Sequence, residues 1–252
     1  MVLAKLMEGV QFNPIGHVEC LFKEKFGVAR QSLMQPHARG ILKMLPEMSA
    51  EAFDHLDGFS HLWILYVFHK NLEKGWRSQI EPPRINGPKR VGVFASRSPH
   101  RPNPIGLSCV KLEHIDLKAL GGIEIHVSGI DLLDGSPLID IKPYLNFADS
   151  LPQATSGWAS EEIEKYPVSF SQEALSEIEA YSSRTKNPEL KNLLVEMLEL
   201  DPRPTSQRKA LPMLDLASEG RKFAFRLHEI DVQWQIKDKG VFVTEILRIP
   251  SS

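Results

Sequence analysis

Between residues 123 and 128, Ile123, Ile125 and Val127 alternate with Glu124, His126 and Ser128, the period of two that marks a strand with one buried and one wetted face. The run 59–69 is apolar almost throughout and predicts a long strand. Shorter extended segments are expected at 14–19 and 91–95, and a strand over 106–115 pairs with 123–130 across Gly121-Gly122. No helical period separates these strands, which disfavours a doubly wound parallel sheet, because its crossovers need helices. Composition shifts to Pro, Ser, Ala and Gln over 146–169, and the period then changes. Ser171 is placed to cap a helix carrying Ala174, Leu175, Ile178 and Tyr181 on one face. Pro188, read as a first helical position, opens a second helix with Leu190, Leu193, Leu194, Met197 and Leu198, which Asp201-Pro-Arg-Pro stops. Val232, Trp234 and Ile236, a turn at Lys237-Asp-Lys-Gly240 and the run 241–247 read as a closing hairpin. The expected organisation is a β-rich domain over 11–151, a linker over 152–170 and a small α+β domain over 171–252.

Composition narrows the options without naming a function. With 252 residues, 42% hydrophobic and 25% charged, the chain is neither disordered, collagenous nor a disulfide scaffold. Thirty basic against thirty-two acidic side chains leave a net charge of −2, so any nucleic-acid contact must come from a local patch. The two cysteines, Cys20 and Cys109, form no C-x-x-C and argue for a reducing cytosol over a zinc cluster or disulfide framework. The longest apolar run, 62–68, is far short of the roughly 18 residues of a membrane span. The start, MVLAKLMEGVQF, has no leader or transit character, and the expected location is cytoplasmic.

The local patch exists. From 82 to 112 there is no acidic residue, while Arg84, Lys89, Arg90, Arg97, Arg101 and Lys111 all fall inside. Within it, ASRSPHRPNPIG (95–106) carries three prolines that stiffen a loop presenting Arg97, His100, Arg101 and Asn103, suited to an anion or nucleoside. A surface turn with solvated arginines accounts for the same residues. A second stretch, GIDLLDGSPLIDIKPY (129–144), places a turn at Asp134-Gly-Ser-Pro137 and brings Asp131, Asp134 and Asp140 close to Lys142 and Tyr144. Asp140, between Ile139 and Ile141, must have a cationic partner or a shifted pKa. No metal is expected: His61 and His69 lie roughly 26 Å apart along a strand at about 3.3 Å per residue, and no H-E-x-x-H spacing occurs. Phosphate-loop, dinucleotide and nucleophile-elbow motifs are also missing, and Cys109 reads as core.

Four segments in order, KEKFGVARQ (23–31), FSHLWILYVFHK (59–70), RVGVFASRSPHRPNPIGLS (90–108) and LLDGSPLIDIKPYL (132–145), resemble the TsaA-like (YaeB/TrmO) family, and the DPRP of 201–204 resembles the C-terminal domain of its long bacterial form. The resemblance implies a single-sheet β-barrel followed by a small α+β domain. It implies an S-adenosylmethionine-dependent methyltransferase acting on N6 of threonylcarbamoyl-adenosine at position 37 of tRNA, chiefly threonine tRNAs. It further implies a homodimer with cofactor near the interface. Matching motifs put the cofactor against Ala29, Arg30, Gln31, His69, Lys70, Arg97, Leu107, Asp134, Gly135, Ser136 and Pro137. Arg97 or Arg30 would take its carboxylate and Leu107 would pack on adenine. Ala29 stands where many relatives carry proline.

Because an N6 conjugated to a carbonyl is a poor nucleophile, a base must take its proton, and Asp140, Asp134 and Tyr144 are the candidates. Arg101 or Lys142 is expected to receive the threonyl carboxylate. Arg84, Lys89 and Arg90 suit phosphates, with Arg203, Arg208, Lys209, Arg221 and Lys222 as an extension on the tail. The rival classes are a non-catalytic RNA- or nucleotide-binding module and a metal-dependent phosphoesterase, the latter abolished by chelator.

Overall fold

The computed structural model describes residues 9–83 and 87–249. In the first part, strands β1 (Gly16–Cys20), β2 (Arg39–Met44), β3 (His61–Val67), the short β4 (Gln79–Ile80) and β5 (Val91–Gly92), β6 (Ile105–Asp116), β7 (Glu124–Ser128) and β8 (Pro137–Pro143) follow one another. Six of them close a barrel in the order β1-β2-β7-β6-β3-β8, every pair antiparallel. Period-two alternation builds its interior: Val18, Leu42, Leu62, Ile64, Val110, Ile125 and Leu138 are completely buried. Closure abolishes sheet edges, so each strand here is paired on both sides. Gly16 sits where β1 crowds β2, and a Cβ there would lie 2.3 Å from the Lys43 carbonyl oxygen.

Strand β2, RGILKM, was not foreseen; Gly40 and only three apolar residues weaken its pattern, yet it bridges β1 and β7. The strand expected over 91–95 stops at Gly92 and continues as a 3₁₀ turn, Val93–Ala95. Past β8 comes a single-turn helix, α1 (Asn146–Asp149). Strand β9 (Val168–Phe170) then runs parallel to β12 (Gly240–Arg248), within the segment read as linker. Helices α2 (Gln172–Thr185), α3 (Leu190–Glu199) and α4 (Thr205–Ala210) precede β10 (Lys222–Leu227) and β11 (Ile230–Lys237), giving the sheet order β10-β11-β12-β9.

The Ser171 hydroxyl accepts from Ala174 N–H, the capping bond its position predicts, and Ala174, Ile178 and Tyr181 are buried. Pro188 lies in the turn before α3, whose cap is Glu189, rather than in its first helical position. The closing hairpin forms as read, with Asp238 and Lys239 both at positive φ in a two-residue turn of the type that matches strand twist.

The two parts dock against each other. Phe26 stacks on Phe225 at 5.5 Å, and Gly27, at φ +82°, lies so near Met197 that a Cβ would fall 2.3 Å from its methyl. His37 hydrogen-bonds the Glu196 carboxylate, while Arg208 donates to the Pro83 carbonyl at 2.7 Å. Among the described residues no helix is long and apolar enough to cross a membrane.

Candidate functional site

The turn 26–35, the end of β3, the Pro-rich loop and the segment between β7 and β8 meet at one end of the barrel. The turn is fastened to the barrel where Leu33 N–H donates to the Gly129 carbonyl at 2.8 Å; a Cβ on Gly129, at φ +73°, would collide with Leu33. Gly129 leads into Ile130, Asp131 and Leu132, so the fastening sets Asp131 beside the turn. The Asp134 turn is zipped to β1: Asp134 N–H reaches the Phe22 carbonyl and Gly135 N–H the Val18 carbonyl, and Ser136 N–H closes it onto Leu133. Gly135, at φ +70°, supplies the left-handed residue this turn needs.

These segments enclose an inner cavity of about 200 Å³ walled by Ala29, Tyr66, Phe68, His69, Asp131 and Ser136, among others. Past Pro99 it adjoins an outer cleft of about 900 Å³ where Arg30, Gln31, Arg97, Phe94 and Trp158 stand. Arg97 donates to the Gln31 side-chain oxygen at 2.6 Å, tying the Pro-rich loop to the turn. Trp158 is pinned over the same loop by its indole N–H on the Ala95 carbonyl, 2.9 Å away, and Phe94 is 75% exposed beside it.

Among the described residues, Asp131 is the one carboxylate in the inner wall. Burial raises its pKa above the ordinary aspartate value, opposed by the Ser108 hydroxyl, its own backbone N–H, that of Ser32, and the Arg97 charge. Burial, and then the Asp131 charge, raise the pKa of Tyr66 well above the ordinary tyrosine value, opposed by Ser108 and Arg97. Its ring lies against Gly106, where a Cβ would fall 2.2 Å from the ring carbon bearing the hydroxyl, so that glycine is the cradle for Tyr66. Across the cavity His69 stands 3.4 Å from the Ser136 hydroxyl, its pKa lowered by burial and then by Lys70.

His100 and His126 are depressed too, each first by burial and then by a neighbouring side chain, Arg77 and His114 respectively; His126 stacks on His114 at 3.9 Å. A histidine with a folded pKa below its unfolded value contributes stability that is present above that unfolded value, about 6.5, and lost as pH falls through the folded pKa. Asp131 has the opposite sign, its cost being relieved as pH falls through its raised folded pKa and gone below about 4, the ordinary aspartate pKa. The melting temperature is therefore expected to fall between pH 7 and pH 5.5, less so in the His69→Asn/His100→Asn/His126→Asn triple variant. Thermal melts across that range check it, and equal slopes for both proteins would refute the assignment.

The chain matches the family model for the tRNA-methyltransferase O N-terminal domain over residues 17–150 and that for the TrmO C-terminal domain over 163–249. It is 40% identical over 243 residues to the tRNA (adenine(37)-N6)-methyltransferase of Escherichia coli strain K12, covering 95% of this chain and 99% of that protein. This chain belongs to the TrmO family. A crystal structure of TrmO from Pseudomonas aeruginosa superposes with a TM-score of 0.76 at 34% identity, covering 95% of this chain and 97% of that one. A probable S-adenosyl-L-methionine-binding protein of Pyrococcus abyssi is 36% identical over 154 residues, 61% of this chain and 78% of that protein.

Within this TrmO-type barrel the expected cofactor residues divide. Ala29, His69, Lys70 and Ser136 line the inner cavity, whereas Arg30, Gln31 and Arg97 border the outer cleft. Asp134 and Gly135 open on the far side of their turn, toward a separate groove of about 800 Å³, and Asp134 already holds Lys23 at 2.6 Å and Cys20 N–H at 2.9 Å. Pro137 pairs with His17 at the barrel seam. Leu107, 51% exposed, points off the outer wall opposite Leu65. Arg30 spends both terminal nitrogens on the Pro83 and Asp201 carbonyls, which bridges barrel and tail.

The three residues expected to be catalytic lie outside the cavity of their own chain. Asp140 pairs with Lys142 at 2.7 Å on the outer wall. The reason is a bulge: Leu65 pairs with Asp140 but Tyr66 pairs with Leu138, so Ile139 is the extra residue and Asp140 turns outward instead of sharing Leu138's face. Its cationic partner was foreseen; its place was not. Tyr144 packs on Trp63 and His61 at the other end of β3. Arg101 braces the 3₁₀ turn by donating to the Val93 and Ser96 carbonyls at 3.2 and 2.6 Å.

On the tail, Arg203 is buried and Arg208 nearly so, which removes both from any RNA surface; Lys209 faces Glu81, while Arg221 and Lys222 are exposed. Arg84 lies outside the described residues. Cys109 faces outward beside Trp63, whereas Cys20 is in the core, where burial pushes its thiol up to about 12. Among the described residues no three His, Cys, Asp or Glu side chains are placed to hold a metal ion.

Proposed function

We propose that this chain is an S-adenosylmethionine-dependent methyltransferase acting on N6 of adenine 37 in tRNA, working in the cytoplasm on threonylcarbamoyl-adenosine, chiefly in threonine tRNAs. The observation that carries the reading is convergence: four sequence-distant segments meet around one cavity, in a fold shared over 95% of the chain with a TrmO crystal structure. The residues fit the cofactor. Tyr66 and Phe68 offer ring surface to an adenine, Ser136 and His69 offer polar partners, and the Asp131 carboxylate suits a ligand carrying positive charge. A pocket for a ligand of this size spans roughly 300–1,000 Å³, so the inner cavity alone is too small and the molecule must extend past Pro99 toward Arg97 and Gln31. Arg97 then meets its carboxylate, a charge-assisted contact.

When bound, the cofactor supplies an activated methyl on a sulfonium. The protein's task is to hold the acceptor nitrogen in line with it, and such alignment is worth several kcal/mol. Lys70, exposed at the cavity lip, is the cation assigned to the threonyl carboxylate, since Arg101 and Lys142 are already engaged. Leu107 meets a cofactor only if a second copy lays this outer wall over its partner's cavity, so the working unit is a homodimer.

The test is methyl transfer from labelled S-adenosylmethionine to threonine tRNA with and without its threonylcarbamoyl group, read by nucleoside digestion. N6-methylation of adenine 37, strongest on the modified tRNA, is expected; no transfer to either tRNA defeats the reading. Lys89 and Arg90, both exposed, suit RNA phosphates. Lys89→Ala/Arg90→Ala should weaken tRNA binding and reduce the slope of log K against log salt by about 0.7–0.9 for each phosphate left without its cation, as filter binding at several ionic strengths would measure.

A further inference from the structure

We infer that Asp131 is the group that takes the N6 proton during methyl transfer, with Ser108 and Tyr66 as positioning residues that hold its carboxylate at the cavity wall. This rests on the methyl-transfer reading above and names a residue for it. Among the described residues, Asp131 is the only carboxylate lining the inner cavity. The Ser108 hydroxyl donates to one of its oxygens, and Tyr66 lines the same cavity from the strand paired with that of Ser108, so the anchoring rests on β6 and β3, both rigid barrel strands. A carboxylate offers roughly four acceptor positions. The Ser108 hydroxyl fills one of them, which leaves room for a further donor.

Asp134 is paired with Lys23, and Asp140 is paired with Lys142 on the outer wall, flanking Leu65 opposite Leu107, where it could reach only a partner's cavity; a kcat loss in Asp140→Asn matched by none in Asp131→Asn would overturn the inference.

The chemistry asks for such a group. The lone pair of an N6 bearing a carbonyl is delocalised, so the nitrogen attacks well only as its proton leaves. The N6 lone pair forms the new N–CH₃ bond while the S–CH₃ bond breaks, its electron pair returning to sulfur to leave a neutral thioether. The N6–H bond breaks in concert or just after, its electrons staying on nitrogen and its proton passing to the Asp131 carboxylate, which becomes a neutral acid and later releases the proton to solvent. The net charge is unchanged, because a sulfonium cation and a carboxylate anion are consumed together. A carboxylate whose pKa is lifted toward the working pH is a better acceptor than an ordinary aspartate.

The groups facing Asp131 are Tyr66 from β3, Ser108 from β6, Arg97 from the Pro-rich loop and Ser32 N–H from the turn, with His69, Lys70 and Lys25 elsewhere on the cavity wall. None of these supplies a second carboxylate. His69, whose pKa burial lowers, is the alternative acceptor on this wall.

The test uses the full chain and threonylcarbamoyl-bearing threonine tRNA. Asp131→Asn should lower kcat by about 10²–10⁴-fold, the usual worth of a general base, with the calorimetric Kd for S-adenosylmethionine little changed. Loss confined to that Kd would make Asp131 a binding residue and overturn the inference, as would a kcat loss in His69→Ala matched by none in Asp131→Asn. Should Asp131→Asn not fold, Ser108→Ala decides: without that hydroxyl the carboxylate is held less well, so the acid limb of the kcat–pH profile must move to higher pH, which a purely structural role would not produce. An unmoved limb overturns the inference. In cofactor-free protein, carbon-detected titration of the Asp131 carboxyl should give a midpoint above about 3.9, the ordinary aspartate value, and a midpoint at or below it counts against. Wild-type protein that transfers no methyl defeats the methyltransferase reading itself, whereas active wild type with equally active Asp131→Asn defeats only this inference.

Discussion

Asp201→Ala is expected to cost about 3–5 kcal/mol of unfolding free energy, the usual consequence of stranding one member of a buried ion pair. Arg203 is wholly buried and Asp201 only 4% exposed. The guanidinium grips the carboxylate with two bonds of 2.7 Å, gives a third to the Leu211 carbonyl at 2.9 Å, and stacks over Phe223 at 4.9 Å. Without Asp201 a cation remains in an apolar pocket with one carbonyl for company, and desolvation is no longer offset. The double variant Asp201→Ala/Arg203→Met should recover more than half of the loss, because apolar replacement of a whole buried pair is often neutral. Urea melts of wild type, single and double variants provide the check. A single-variant loss under about 1 kcal/mol, the range of an exposed pair, would contradict the account. The damage should also reach the site, since the Asp201 carbonyl receives Arg30 from the cavity turn.

Arg97→Ala should leave the melting temperature nearly unchanged, Arg97 being exposed, while reducing kcat/KM by about 10- to 150-fold, equivalent to about 1.5–3 kcal/mol for a hydrogen bond to a charged group. The side chain does two jobs. It ties the Pro-rich loop to Gln31, and its charge restrains the pKa of Asp131. Removing it should therefore also move the acid limb of the rate profile to higher pH. Arg97→Lys should restore the charge effect more fully than kcat/KM, because an ammonium lacks the planar fork. Activity within twofold of wild type in Arg97→Ala would remove Arg97 from the site.

Much of the fold was legible along the chain. Strands β3, β6 and β7, the Ser171 cap and the closing hairpin follow from local period and turn chemistry. Strand β2 escaped because its polar ends and Gly40 mute the alternation; only pairing on both sides makes it a strand. The placement of Asp140 shows where local pattern stops. A charged residue between isoleucines was rightly expected to need a cation, but a single extra residue in β8 inverts the face, and no local pattern announces a bulge. The same reasoning applied to Asp131, flanked by Ile130 and Leu132, would have singled out the carboxylate that does face the cavity.

Local preference and motif order, both properties of the chain read in one dimension, determined that this protein is a β-rich domain with an α+β tail, that its cationic loop is stiffened by proline, and that its segments resemble one family. Which carboxylate enters the cavity, which arginines are spent on carbonyls and which loops meet was decided only in three dimensions. Barrel closure and the Leu33–Gly129 fastening bring residues far apart in sequence to one end of the fold, and burial there raises the pKa of Asp131. Such long-range contacts depend on register and on the solvent they exclude, quantities that exist only once the chain has folded.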